Sequence, residues 1–187
     1  MNPTALATAA NSALIVVDVQ ERLAAAMDPV ALQAAAKNIG ILLASAAHLE
    51  IPVLATEQYT KGLGPTIAEL AAKLPHTAPR IEKTCFSCAG AESFLRAFES
   101  TSRTQAILTG MEAHVCVLQS ALELKSAGRD VFVVADACCS RKPGNHSNAM
   151  DRLRAAGIVV ANTESIVFEW LRNARHPQFK ALSALLR

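Results

Sequence analysis

Residues 12–18 read SALIVVD, an aliphatic and β-branched run that ends on a carboxylate. A run this short and this uniformly apolar fits a strand buried on both faces, as in the interior of a parallel sheet. The signature returns along the chain. Residues 51–56 (IPVLAT) read as a second strand, its proline at the start, where a missing N–H is tolerated. Residues 80–83 (RIEK), 104–110 (TQAILTG), 130–136 (DVFVVAD) and 157–161 (GIVVA) supply a third to a sixth. Helical spacing fills the intervals: an alanine-rich stretch over 29–49, a short helix near 66–72 after a loop marked by Gly62, Gly64 and Pro65, and helices over 92–99, 114–127 and 148–156. Two more, near 163–173 and 177–186, close the chain. Strands separated by helices need crossovers, nearly always right-handed. The pattern therefore predicts an α/β fold, an open parallel sheet with helices on both faces.

Composition agrees with that reading. Of 187 residues, 51% are hydrophobic and 18% charged, which excludes a disordered chain. Only 4% are aromatic, so aliphatic side chains and alanine must fill the core. No linker or internal repeat interrupts the pattern, and residues 1–187 are expected to form one domain. Eighteen basic against 16 acidic residues leave a net charge of +2, with nothing to suggest nucleic acid or an acidic membrane as partner. No uninterrupted apolar run reaches the roughly 20 residues of a membrane span. The start, MNPTALATAANS, lacks the basic n-region of a secretory signal, so a cytoplasmic protein is expected. Five cysteines, an odd number, read as thiols rather than as a disulfide framework.

In open α/β sheets, ligands bind beyond the carboxyl ends of the strands, where strand order reverses. Asp18, Thr56, Lys83, Gly110 and Asp136 all fall at such ends. If the first and fourth strands are neighbours, Asp18 and the segment after Gly110 face one crevice. Cys116 lies in that segment, early in a helix, where free N–H groups and the helix dipole favour a thiolate. A buried cysteine acting as a small hydrophobe is the competing reading. Asp18 is either a functional carboxylate or a cap, and Lys83 either a functional cation or a surface lysine. Cys85-Phe-Ser-Cys88 is a lone CxxC with no second pair at zinc spacing, open to a packing role or a redox role. Cys138 and Cys139 follow the fifth strand as adjacent thiols. Trp170 lies in a helix whose apolar surface suits the core or a subunit interface.

The stretches ALIVVDVQERL, IEKTCFS and ILTGMEAHVCVLQSALELKSAGRDVFVVADACCSR together resemble the isochorismatase-like cysteine hydrolase superfamily, over roughly residues 13–170. EQYTKGLGPT and HPQFK are most similar to its isochorismatase domain-containing branch. The resemblance implies a six-stranded parallel sheet of order 3-2-1-4-5-6 in a Rossmann-like three-layer sandwich. It implies Asp18 as general base, Lys83 as cationic partner of thiolate and oxyanion, and Cys116 as nucleophile. It further implies a cis Met111–Glu112 peptide, with N–H groups of Glu112 and Cys116 forming an oxyanion site. Three departures are visible. Isochorismatases proper lack the cysteine. Related nicotinamidases bind a metal with aspartate and histidines after the second strand, where this chain has Glu57-Gln-Tyr-Thr-Lys-Gly without histidine. Many amidase members carry aspartate two residues before the cysteine, where this chain has His114.

These readings converge on a hydrolase without metal or cofactor. It would cleave an amide-type C–N bond of a small molecule through a thioester, and would assemble as a homo-oligomer. The alternatives are a binding or scaffold protein that keeps the triad without turnover, and a thiol redox protein using Cys85 with Cys88, or the Cys138–Cys139 neighbourhood.

Overall fold

The run Ser12–Val17 becomes β1, with all six residues buried, and it is paired along both edges, as a strand without a solvent face must be. The computed structural model describes residues 6–187; of the amino-terminal stretch read above, residues 1–5 lie outside the described residues. After β1 come a helical turn, α1 (Glu21–Ala24), and the long α2 (Pro29–His48). The start of α2 is set by Asp28, whose carboxylate accepts the N–H groups of Val30 and Ala31, with Pro29 in the first turn. Next are β2 (Val53–Gln58), the turns α3 (Thr60–Leu63) and α4 (Ala68–Ala71), β3 (Arg80–Lys83) and a 3₁₀ turn at Cys88–Gly90. The second half comprises α5 (Glu92–Ser100), β4 (Gln105–Met111), a π-helical turn (Ala113–Val117) that runs into α6 (Leu118–Ser126), β5 (Asp130–Cys139), α7 (Pro143–Ala155), β6 (Val159–Ala161), α8 (Thr163–Leu171) and α9 (Phe179–Leu185).

All neighbouring strands are parallel, in the order β3-β2-β1-β4-β5-β6. Alternate residues of β1 serve two cores. Leu14 and Val16 join a layer that includes Ile39 and Leu42 of α2, Trp170 of α8 and Leu182 of α9. Ala13, Ile15 and Val17 join the opposite layer, with Phe94 of α5, Ala121 of α6 and Leu153 of α7. This two-sided burial is why the sequence shows continuous apolar runs rather than alternation. Trp170 belongs to the core, and its indole N–H donates to Ser12 Oγ at 3.0 Å. At 20 residues, α2 has the length and apolar character of a membrane-crossing helix. Its buried side, from Ala35 to Ala46, packs instead into the first layer.

Four segments differ from the sequence reading. The second strand starts after Pro52 and continues to Gln58, because Thr56, Glu57 and Gln58 pair with Ile81, Glu82 and Lys83 of β3. The fifth strand continues past Asp136 to Cys139. A register shift opposite Leu108 and Gly110 lets Cys138 and Cys139 rejoin the ladder beside Gly110 and Met111. Helix α7 begins at Pro143 rather than Asn148, proline being well suited to a first turn. The loop expected around Gly62 contains the turn α3, with the Tyr59 ring lying over Gly62.

The switch point lies between β1 and β4, where the chain leaves one half of the sheet for the other. Gly110 makes that junction close: its φ is +108°, and a Cβ there would stand 2.1 Å from the Val17 carbonyl oxygen. Gly110→Ala must both strain the backbone and separate two strands. We expect it to cost at least about 2 kcal/mol in urea denaturation, or to prevent folding.

Candidate active site

The chain leaves β1 at Asp18, which is fully buried and has a φ of 49°, left-handed backbone that aspartate tolerates better than most residues. Its carboxylate is held on both oxygens. Thr56 Oγ1, in β2, donates to Oδ1 at 2.7 Å, and Lys83 Nζ, at the end of β3, donates to Oδ2 at 2.6 Å. The side chains of this ion pair have no solvent exposure. Lys83 Nζ also reaches Gln58 Oε1 at 2.9 Å, the Phe86 carbonyl at 3.0 Å and the Cys85 carbonyl at 3.3 Å. Burial acts to lower the lysine's pKa, but the charge of Asp18, in contact with it, outweighs burial, and the pKa is raised. The ammonium is thus surrounded by acceptors, and its influence on a bound substrate is chiefly that of a fixed charge.

A second ring of amides holds that arrangement. Gln58 turns its Nε2 to the Thr84 carbonyl at 2.7 Å. Gln20 bridges β1 to the loop after β2: its Nε2 donates to the carbonyls of Gln58 and Gly64, and its Oε1 accepts the Gln58 N–H. Glu57 is spent on Thr66, whose N–H and hydroxyl it accepts at 2.8 and 2.6 Å. Among the described residues no three His, Cys, Asp or Glu side chains form a group able to hold a metal ion.

Cys116 comes from the other half of the sheet. It sits in the π-helical turn after β4 and is 5% exposed. The amides that bond back to the Glu112 carbonyl in this turn are those of Val115 and Val117, leaving the Cys116 N–H out of those bonds. The Met111–Glu112 peptide is cis, as the resemblance implies. The position of Cys116 early in a helix predicts a favoured thiolate; the environment does the reverse. Burial, and then the Asp18 carboxylate, push the thiol's pKa up, and the Lys83 ammonium only partly opposes them. Cys116 therefore rests as a protonated thiol. Asp18 and Lys83 are in contact at the carboxyl end of the sheet, and Cys116, from a third segment, lies within their electrostatic influence.

His114, two residues before the thiol, is turned away into a polar cluster. Its Nδ1 lies 3.1 Å from Ser140 Oγ and its Nε2 3.2 Å from Asn145 Nδ2. Glu112 is buried and accepts the N–H and Nε–H of Arg141. Cys138 and Cys139 are buried on opposite faces of β5. Cys88 is also buried, but near the ion pair, a placement that its CxxC spacing does not reveal. Thr56 is at a strand end in the sequence. Gln58 and Ser120 carry no comparable signal; only the extra length of β2 and the turn before α6 bring them in.

A family model described as the isochorismatase domain matches residues 12–165, most of the chain and all three of these segments. The chain belongs to the isochorismatase family. Isochorismatase domain-containing protein 2A of Mus musculus is 36% identical over 180 residues, covering 95% of this chain and 83% of its own length. Among solved structures, the MAR1 ribonuclease of Caenorhabditis elegans superposes with a TM-score of 0.90 at 32% identity, over 97% of this chain and 92% of its own. The YcaC gene product of Escherichia coli, an octameric hydrolase of unknown specificity, gives a TM-score of 0.90 at 27% identity, over 100% and 91%. The six-stranded order found here is the isochorismatase-like one, and the family is a hydrolase superfamily.

Lys83→Met would strand the Asp18 carboxylate in the interior with one hydroxyl partner. Breaking a buried pair on one side costs about 3–5 kcal/mol, and we expect that loss in urea denaturation. Adding Asp18→Asn should recover part of it, since the uncompensated charge is then gone.

Proposed function

We propose that this isochorismatase-family protein is a cysteine hydrolase that cleaves an amide-type C–N bond of a small molecule, with no step assigned to a metal or cofactor. The observation that carries the reading is the buried Asp18–Lys83 pair facing the Cys116 thiol. Asp18 takes the thiol proton as Cys116 Sγ attacks the carbonyl carbon. The oxyanion so formed is held by backbone N–H groups of the turn from Met111 to Cys116, those of Glu112 and Cys116 being the proposed donors. When the C–N bond breaks, Asp18 returns the proton to the leaving nitrogen, and a thioester on Cys116 remains. Asp18 then deprotonates a water, which attacks the thioester, and the thiol is regenerated as the acid departs. Lys83 supports the developing negative charge as a fixed cation throughout.

Three other readings are kept as outcomes of the test. One is a binding or scaffold protein that keeps these residues but turns nothing over. Another is a thiol redox protein using Cys85 and Cys88. The third is RNA cleavage, suggested by the name of the C. elegans neighbour. A nearly balanced net charge of +2 and a fully buried ion pair favour a small substrate over a polyanion.

A panel of small primary and secondary amides, with single-stranded RNA as a separate arm, decides among them. We expect amide turnover that falls about 10³-fold or more in Cys116→Ala, and about 10²–10⁴-fold in Asp18→Asn. Cys85→Ser should leave it unchanged. RNA cleavage that survives Cys116→Ala, or no amide turnover at all, would reject the proposal.

We also propose a homo-oligomer. The octameric neighbour supports it, as do the large apolar side chains left exposed: Val30, Tyr59, Phe86 and Phe168. The carboxyl-terminal helices α8 and α9 and the helix α6 are the proposed contacts. Light scattering at micromolar concentration should give a multiple of the 19.8 kDa chain mass, and a monomer mass would reject the assembly.

A further inference from the structure

The hydrolytic cycle uses one thiol, yet a second lies against the same ion pair. Cys88, at the start of the 3₁₀ turn after β3, is wholly buried in the apolar layer that also contains Cys116. Its backbone N–H donates to Ser120 Oγ at 2.8 Å, and that hydroxyl donates to the Cys116 carbonyl at 2.6 Å. One hydroxyl thus joins the backbones of the two cysteines. The Cys88 thiol faces Thr56 Oγ1 at 3.8 Å, and Thr56 donates to Asp18. The charges of Asp18 and Lys83 act on both thiols, and Cys88 acts in turn on Cys116.

Cys85, three residues earlier, behaves differently. It is only partly buried, and its Sγ packs over Gly90, 3.2 Å from where a Cβ would stand. It lines a pocket with Tyr59, Lys61 and Lys83. The CxxC spacing suggests that Cys85 and Cys88 pair. In the fold, Cys88 is turned inward to Thr56 and Ser120 while Cys85 faces outward.

We propose that Cys88 is a resolving thiol for Cys116: when a peroxide oxidises Cys116, Cys88 captures it as an intramolecular disulfide, so the site is a reversible redox switch. This rests on the reading of Cys116 as the reactive thiol. In the first step Asp18 accepts the Cys116 proton and the thiolate attacks a peroxide oxygen. The S–O bond forms as the O–O bond breaks, and the leaving hydroxide takes the proton away as water, leaving the sulfenic acid. In the second step Cys88 Sγ attacks Cys116 Sγ; the S–O bond breaks, and the hydroxide leaves as water with the Cys88 proton. One hydrogen peroxide is reduced to two waters and two thiols become one disulfide. Without a neighbouring thiol the sulfenic acid proceeds to sulfinic acid, which dithiothreitol does not reverse. Thiol capture therefore protects the nucleophile while switching it off.

The experiment treats the full chain with hydrogen peroxide, blocks remaining thiols with iodoacetamide and maps the peptides by mass spectrometry. We expect a cross-linked pair containing Cys88 and Cys116, a chain about 2 Da lighter, and return of Cys116 alkylation after dithiothreitol. In Cys88→Ala, and in Cys88→Ser as a second variant, Cys116 should gain oxygen and stay oxidised. The wild-type map decides even if neither variant folds. A Cys85–Cys88 disulfide, or sulfinic Cys116 formed as readily in the wild type as in the variants, overturns the proposal. Alkylation of Cys116 and amide turnover without any cross-link would sink this inference and leave the hydrolase reading standing. A Cys116 that reacts with neither iodoacetamide nor peroxide would remove both.

Discussion

The salt bridge between Asp18 and Lys83 is the constraint around which the carboxyl end of this sheet is built. Two charges without solvent are expensive, and their attraction offsets that cost only if every remaining polar atom is also satisfied. Here it is. Thr56 occupies the second carboxylate oxygen, while Gln58 and two backbone carbonyls surround the ammonium. These partners come from β1, β2, β3 and the loop beyond, so satisfying one ion pair fixes the relative positions of three strand ends. A hydrophobic triad of similar volume would hold the strands together with less desolvation cost. The expense is understandable if the pair is needed for chemistry at the neighbouring thiol.

That chemistry begins from an unusual distribution of protons. A helix amino terminus and a nearby ammonium both favour a thiolate at Cys116. Burial and the Asp18 carboxylate act more strongly in the opposite sense, so the thiol keeps its proton at rest. Removing it requires a base in contact, and Asp18 is the carboxylate present. The same residue that makes the thiolate costly is therefore the one able to create it. In the proposed cycle the reactive ion then exists only while Asp18 holds the proton and a substrate carbon is ready to accept the sulfur.

Much of this was legible in the chain before folding. The six apolar runs show the strands because a sheet covered on both faces demands aliphatic side chains at consecutive positions. Asp18 and Lys83 stand out because each closes such a run. Two of the boundaries that failed are set by partners distant in sequence. The last residues of β2 look like loop, since Glu57 and Gln58 are polar, but pairing with β3 and side-chain bonds to Thr66, Gln20 and Thr84 make their burial possible. Likewise β5 passes through a register shift that no local pattern encodes, and Cys138 and Cys139 lie inside the strand rather than after it. The inward turn of Cys88 depends on Ser120, 32 residues later, a contact that the CxxC spacing does not signal.

Access to the site limits what can react there. Asp18 and Lys83 have buried side chains, and Cys116 is buried as well, at 5% exposure, so the proposed nucleophile offers little surface to a reagent. On the proposed reading, so buried a sulfur calls for a substrate with a small, unhindered carbonyl. A terminal amide or a similarly unhindered carbonyl meets this condition, whereas a carbonyl within a folded polypeptide does not. In the proposed cycle the same burial would limit the water that reaches the thioester before the amine has gone.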